Sequence, residues 1–72
     1  MKMGVSDSVV VTRNLPEHRL LRGDIGAVVV VHEWGGLDVE FLSLVGRPTA
    51  VVTLNETDVR LAVRAERQLI DR

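Results

Sequence analysis

His18 and His32 are the only histidines in the 72-residue chain, so acid–base or metal chemistry would have to start from them. Glu33, Asp38 and Glu40 follow His32 closely, which puts an imidazole and several carboxylates in one short stretch. A catalytic zinc ion takes three protein ligands and keeps a further position open. The same residue types also suit a simpler arrangement, a cross-strand pair in which the imidazole meets one carboxylate, and this is the favoured reading. Ser6, Ser8 and Ser43 lack the Gly-x-Ser-x-Gly context of a nucleophile elbow. Neither a phosphate-binding loop nor a His-Glu-x-x-His pattern occurs. With no acid–base constellation and no cysteine, the expectation is a protein that is not an enzyme and uses no cofactor or metal.

Arg22-Gly23-Asp24 spells a cell-adhesion tripeptide, a use that requires a loop displayed outside the cell. The local reading is stronger: glycine reaches positive φ at little cost, and an aspartate holds nearby backbone N–H groups, so the three residues predict a turn. Gly23-Asp24-Ile25-Gly26 also has the spacing of a backbone-clamping RNA loop, but that loop lies between helices and favours basic middle residues. Arg13, Arg19, Arg22 and Arg47 make up the alternative set of nucleic-acid contacts. The net charge of −1 weighs against that use, because nucleic-acid binders carry a basic patch that releases counterions from phosphates. Trp34 and Phe41 are the only aromatic residues, too few for a base-stacking surface. Arg60, Arg64, Arg67 and Arg72 are interleaved with Glu66 and Asp71 and read as a solvated face.

The elements that would position these residues are short and rich in valine. Val9 to Arg13 reads as a first strand, stopped by Asn14-Leu15-Pro16, since proline fixes φ and donates no hydrogen bond. Glu17 to Leu21 reads as a loop, Ala27 to Glu33 as a second strand, Asp38 to Ser43 as a third and Thr49 to Leu54 as a fourth. Gly35-Gly36 and Val45-Gly46-Arg47-Pro48 supply the turns. Residues after Asn55 suit two structures. Val59, Leu61 and Val63 alternate as in a strand. The same stretch is also a helix capped by Asn55, with Val59, Ala62, Val63, Leu69 and Ile70 on its apolar side.

The ordered set Leu15-Pro16-Glu17-His18, Leu21 to Val29, Asp38-Val39-Glu40-Phe41 and Ala50 to Leu54 resembles a bacterial family of small SH3-like domains, domain of unknown function 4926. The resemblance covers most of residues 9 to 63. It implies an all-β, five-stranded SH3-like barrel with a short C-terminal tail or helix, in which Asn55 to Asp58 is a one-turn connector and Val59 to Val63 the closing strand. It brings no catalytic residues. The chain then reads as one domain over 1–72, with the barrel at about 8–63 and the tail at 64–72.

Register decides which valines of the second strand are buried. A direct Glu33–Asp38 pairing would set like charges opposite each other, which destabilises a sheet. A one-residue adjustment brings His32 opposite Asp38 or Glu40 instead. Val29, Val31, Val39 and Phe41 are then expected on the inner face. Val28, Val30, His32 and Trp34 would form an outer stripe, with Leu42 beside it, as a candidate interaction surface. The resemblance agrees, since members of that family often carry a charged residue at the position of Val30. Such a stripe fits a protein–protein contact, with a homodimer as one form, or is covered by the C-terminal segment through Leu69 and Ile70. The expected function is therefore a non-enzymatic binding or adaptor domain that contacts a protein partner or itself. A small nucleic-acid-associated barrel is the runner-up, and an accessory or neutralising partner of a neighbouring gene product is a third class. The first seven residues hold no apolar run of signal-peptide length, and no apolar run is long enough to span a membrane. A soluble, cytoplasmic protein is expected.

Overall fold

The computed structural model describes residues 3–41 and 50–70, and of residues 69 and 70 the backbone alone. Five antiparallel strands form one sheet: β1 (Ser8–Val11), β2 (Ile25–Val31), β3 (Gly36–Phe41), β4 (Ala50–Asn55) and β5 (Val59–Leu61). Their order is β4-β3-β2-β1-β5, so the first strand joins the last and the sheet makes the small all-β, barrel-like fold expected of an SH3-like chain. A 3-10 turn, Glu56–Asp58, connects β4 to β5, and one short helix, α1 (Arg64–Ile70), follows. No helix among the described residues is long and apolar enough to cross a membrane.

The ends of the chain settle the strand-or-helix alternative in favour of both, in sequence. Asn55 makes no side-chain cap bond, and β5 pairs with β1 through Val9–Leu61, Val10–Arg60 and Val11–Val59. The strand ends at Leu61, two residues earlier than expected. The helix then starts at Arg64, with Glu66 in its first turn. Glu66 Oε1 accepts the Val63 N–H at 2.9 Å, satisfying a donor that a helix start leaves without a partner, in the manner of half a capping box.

Each valine run has its own physical basis. In β1, Val9 and Val11 are 0% and 1% exposed and belong to the central core. Val10 lies on the other face between Ile25 and Arg60 and is buried as well. Val10 lines a shallow cleft with Thr12, Arg22, Gly23 and Arg60. A strand covered on both faces needs no polar alternation. The core is completed by Leu15 and Leu20 from the β1–β2 loop, Val28, Leu37, Val39, Phe41, Leu54, Val59 and Met3. Burying each such side chain fully is worth about 1.5–3 kcal/mol.

The long β1–β2 connection is pinned inward rather than loose. Leu15 and Leu20 exchange backbone hydrogen bonds at 2.9 and 3.1 Å, closing a small loop whose tip is the 3-10 turn Pro16–His18. Downstream, Asp24 Oδ2 accepts the Leu21 N–H at 2.8 Å, and Gly23 has φ +96°. The Arg22-Gly23-Asp24 stretch is a turn, as its residue types predict. Gly26 has a different job. A Cβ there would lie 2.6 Å from Val39 Cγ1, 2.8 Å from the Glu40 carbonyl oxygen and 2.9 Å from Phe41 Cδ1, so only glycine lets β3 come this close. The expected turn at Val45–Pro48, with Ser43 and Thr49 beside it, lies outside the described residues.

Candidate interaction surface

The β2–β3 hairpin breaks its register once. Val28 pairs with Val39, but the next pair is Val30 with Asp38, followed by Val31 with Leu37. Val29 and Val30 thus face one residue of β3, which is a β-bulge. The extra residue resets the alternation. Val28 is 1% exposed and joins the core, whereas Val29, Val30 and Val31 are 39%, 41% and 45% exposed. The expected partition is corrected at three positions: Val28 is not part of an outer stripe, and Val29 and Val31 are not buried. A regular strand forces neighbours onto opposite faces; the bulge removes that constraint and leaves three consecutive valines accessible.

The turn beyond them is a three-residue loop. His32 donates its N–H to the Gly36 carbonyl at 2.8 Å, and Gly35 donates to the His32 carbonyl at 3.1 Å. Trp34 is 65% exposed, yet its ring has a fixed seat. A Cβ on Gly36 would collide with the indole carbons, so the indole rests on a bare glycine. The His32 ring stacks on it, with centroids 5.5 Å apart and planes 21° apart.

His32 is held in turn by Asp38. Its Nε2 lies 2.8 Å from Asp38 Oδ1, and the Thr53 hydroxyl of β4 donates to the same oxygen at 2.7 Å. The Thr53 hydrogen bond is the larger cause, and the His32 hydrogen bond the next, of an Asp38 pKa below the usual carboxylate range. Val30, Asp38 and Thr53 form one row across three strands, and Ala27, Glu40 and Val51 another. Val51 is 56% exposed. Val30, His32 and Trp34 of the expected stripe therefore stand outside the core on one hairpin, and the structure adds Val29, Val31 and Val51. The bulge has no signature in the residue types, which is why sequence alone does not expose Val29 and Val31; Val51 is legible from its place in the alternation of β4. Leu42 and the side chains of Leu69 and Ile70, expected beside or over this stripe, lie outside the described residues.

Arg13 points to Asp58, with Nη2 at 2.9 Å from Oδ1. Arg19 ends the 3-10 turn at φ +57°. Arg22 lines the cleft of about 280 Å³ together with Arg60, whose Nη1 and Nη2 donate to the two carboxylate oxygens of Glu66 at 2.8 Å each. Arg47 lies outside the described residues. His18 sits exposed in the β1–β2 loop, on a different element from His32. Among the described residues no group of three His, Asp or Glu side chains is placed to hold a metal ion.

A family model described as Domain of unknown function (DUF4926) matches residues 5–61, and the chain belongs to that family. No curated protein and no solved structure matches the chain.

Proposed function

We propose that this member of the family is a small, non-enzymatic binding domain that docks a protein partner through the outer side of its β2–β3 hairpin. One observation carries the reading: Val29, Val30, Val31 and Trp34 stand 39%, 41%, 45% and 65% exposed on a single hairpin. Clustered apolar exposure costs solubility and marks contact surfaces, and tryptophan is enriched where binding energy concentrates. The surface is also pre-organised. The bulge fixes the valines, Gly36 seats the indole, and the Thr53–Asp38–His32 chain fixes the ring stacked on it. A partner would therefore lose little conformational freedom in ordering it.

Photocrosslinking in cells that make the chain tests this. A photoreactive residue at position 34 gives a discrete protein adduct, and Val30→Lys abolishes it. A crosslinker at position 34 that yields only the free chain overturns the reading.

A further inference from the structure

β2 outruns its neighbour. β1 pairs with it only as far as Ser8 opposite Ala27. The chain before β1 then adds two bonds at Val28, whose carbonyl accepts the Ser6 N–H at 2.8 Å and whose N–H donates to the Asp7 carbonyl at 2.9 Å. Beyond Val28, no strand among the described residues lies on that side. The His32 N–H points toward β3, where it meets the Gly36 carbonyl. Backbone groups alternate in direction along an antiparallel strand, so Val31 turns its N–H and C=O the other way, onto the open edge. An edge with free backbone groups is a template for another strand.

Charge identifies what fits there. From Ile25 to Gly46 the chain carries Glu33, Asp38 and Glu40 and neither lysine nor arginine. Glu56 joins them at the hairpin tip, its N–H bonded to the Gly35 carbonyl at 3.2 Å. A second copy of the chain would bring these carboxylates against themselves. An extended segment avoids this repulsion, because its own cations can meet the acidic rim, and backbone bonds supply part of its affinity.

We propose that the Val29–Val31 edge of β2 accepts an extended segment of another protein in which apolar residues alternate with lysine or arginine. The segment pairs its backbone with Val31, lays apolar side chains against Val30 and Trp34, and sets its cations against Glu33, Glu40 and Glu56. This rests on the docking reading above and gives it a partner chemistry.

The probe comes from a phage-displayed random heptapeptide library panned on the full chain, with Trp34→Ala as counter-selection; amide dispersion in NMR spectra confirms that each variant is folded. Enriched peptides interleave apolar and basic residues. A synthetic copy of the most enriched one slows hydrogen exchange at the Val31 amide more than tenfold, and Glu33→Lys with Glu40→Lys weakens its binding at least tenfold. Enrichment without a basic bias, or binding that leaves Val31 exchange unchanged, overturns strand addition while leaving docking through Trp34 in place. If no peptide distinguishes the native chain from Trp34→Ala, both fall. A Val31 amide already protected in the free monomer means that the chain covers its own edge. Protection that grows with protein concentration means that a second copy does. Either result overturns the proposal.

Discussion

Arg13 donates from Nε to Oδ1 of Asp58 at 3.0 Å, and its Nη2 lies 2.9 Å from the same oxygen in an ion pair. The two residues join the end of β1 to the 3-10 turn before β5. The Asp58 carbonyl also accepts the Thr12 N–H at 2.9 Å and the Thr12 hydroxyl at 3.0 Å. The exposures are unequal: the Arg13 side chain is 62% accessible and the Asp58 side chain 11%. Losing the arginine strands a carboxylate that water reaches poorly, whereas losing the carboxylate returns the arginine to solvent. Arg13→Ala is therefore expected to cost about 1–3 kcal/mol, and Asp58→Ala less. The double variant should be no worse than Arg13→Ala alone. Urea unfolding with unchanged m-values measures all three; a larger loss for Asp58→Ala would show that the carboxylate does more than receive Arg13.

Glu66 ties α1 to β5 and has a pKa lowered from 4.5 to about 2, first by the Arg60 hydrogen bonds and then by the Val63 N–H. A carboxylate with a depressed folded-state pKa binds its proton less readily folded than unfolded. Its contribution is therefore fully present above about 4.5 and is lost as pH falls toward 2. The attachment of α1 should persist at pH 5 and fade only in strong acid. The Glu66 side-chain carbon resonance, followed by NMR against pH, should titrate near 2, and Arg60→Gln should move that midpoint upward. A midpoint unchanged in Arg60→Gln would remove the arginine as the main cause.

Asp38 provides a second electrostatic test at the candidate surface. Its pKa is lowered by Thr53 first and His32 second. Thr53→Val should raise the Asp38 midpoint more than His32→Asn does, as read from the Asp38 carboxyl resonance. The reverse ranking would mean that the imidazole, rather than the β4 hydroxyl, holds this carboxylate.

The two glycines of Gly23-Asp24-Ile25-Gly26 differ in what a methyl group would meet. At Gly23 the obstacle is φ +96°, since a Cβ there would have no atom within 4 Å. At Gly26 it is the Glu40 backbone and the Phe41 ring, which cannot yield cheaply. Gly26→Ala is expected to lose about 1–3 kcal/mol through overpacking, and Gly23→Ala about 1 kcal/mol through backbone strain. Chemical denaturation ranks the pair, and an equal loss at both sites would contradict the close approach of β3.

Much of this fold is legible from residue types, because strand breaks need special residues. Pro16, Gly23 and Gly35 sit in the connections between strands, and Asn55 closes β4. The His32–carboxylate pair is legible too, since Glu33 opposite Asp38 would be repulsive. What residue types do not reveal is how a run of valines is divided. Val9-Val10-Val11 and Val28 to Val31 look alike in sequence. One is a strand covered on both faces, and the other is a strand interrupted by a bulge. That difference depends on what packs beside each strand, which is tertiary information. The C-terminal stretch is ambiguous in sequence for a related reason: alternation over three residues and a helical stripe over seven fit consecutive segments, and only the pairing with β1 places the boundary.

The bulge makes a sharp prediction for lysine substitutions along β2. Val28 is fully enclosed at 1% exposure and Val30 is 41% exposed, although both would share one face of a regular strand. Val28→Lys forces an unpaired ammonium into the core, at a cost of about 3–5 kcal/mol, enough to unfold a domain of this size or nearly so. Val29→Lys and Val30→Lys place the charge in water and should stay within about 0.5 kcal/mol of the native chain. Thermal unfolding monitored by circular dichroism separates the cases. If Val28→Lys were tolerated and Val29→Lys were not, the strand would run in the opposite register and the exposed surface would have to be redrawn around Val28.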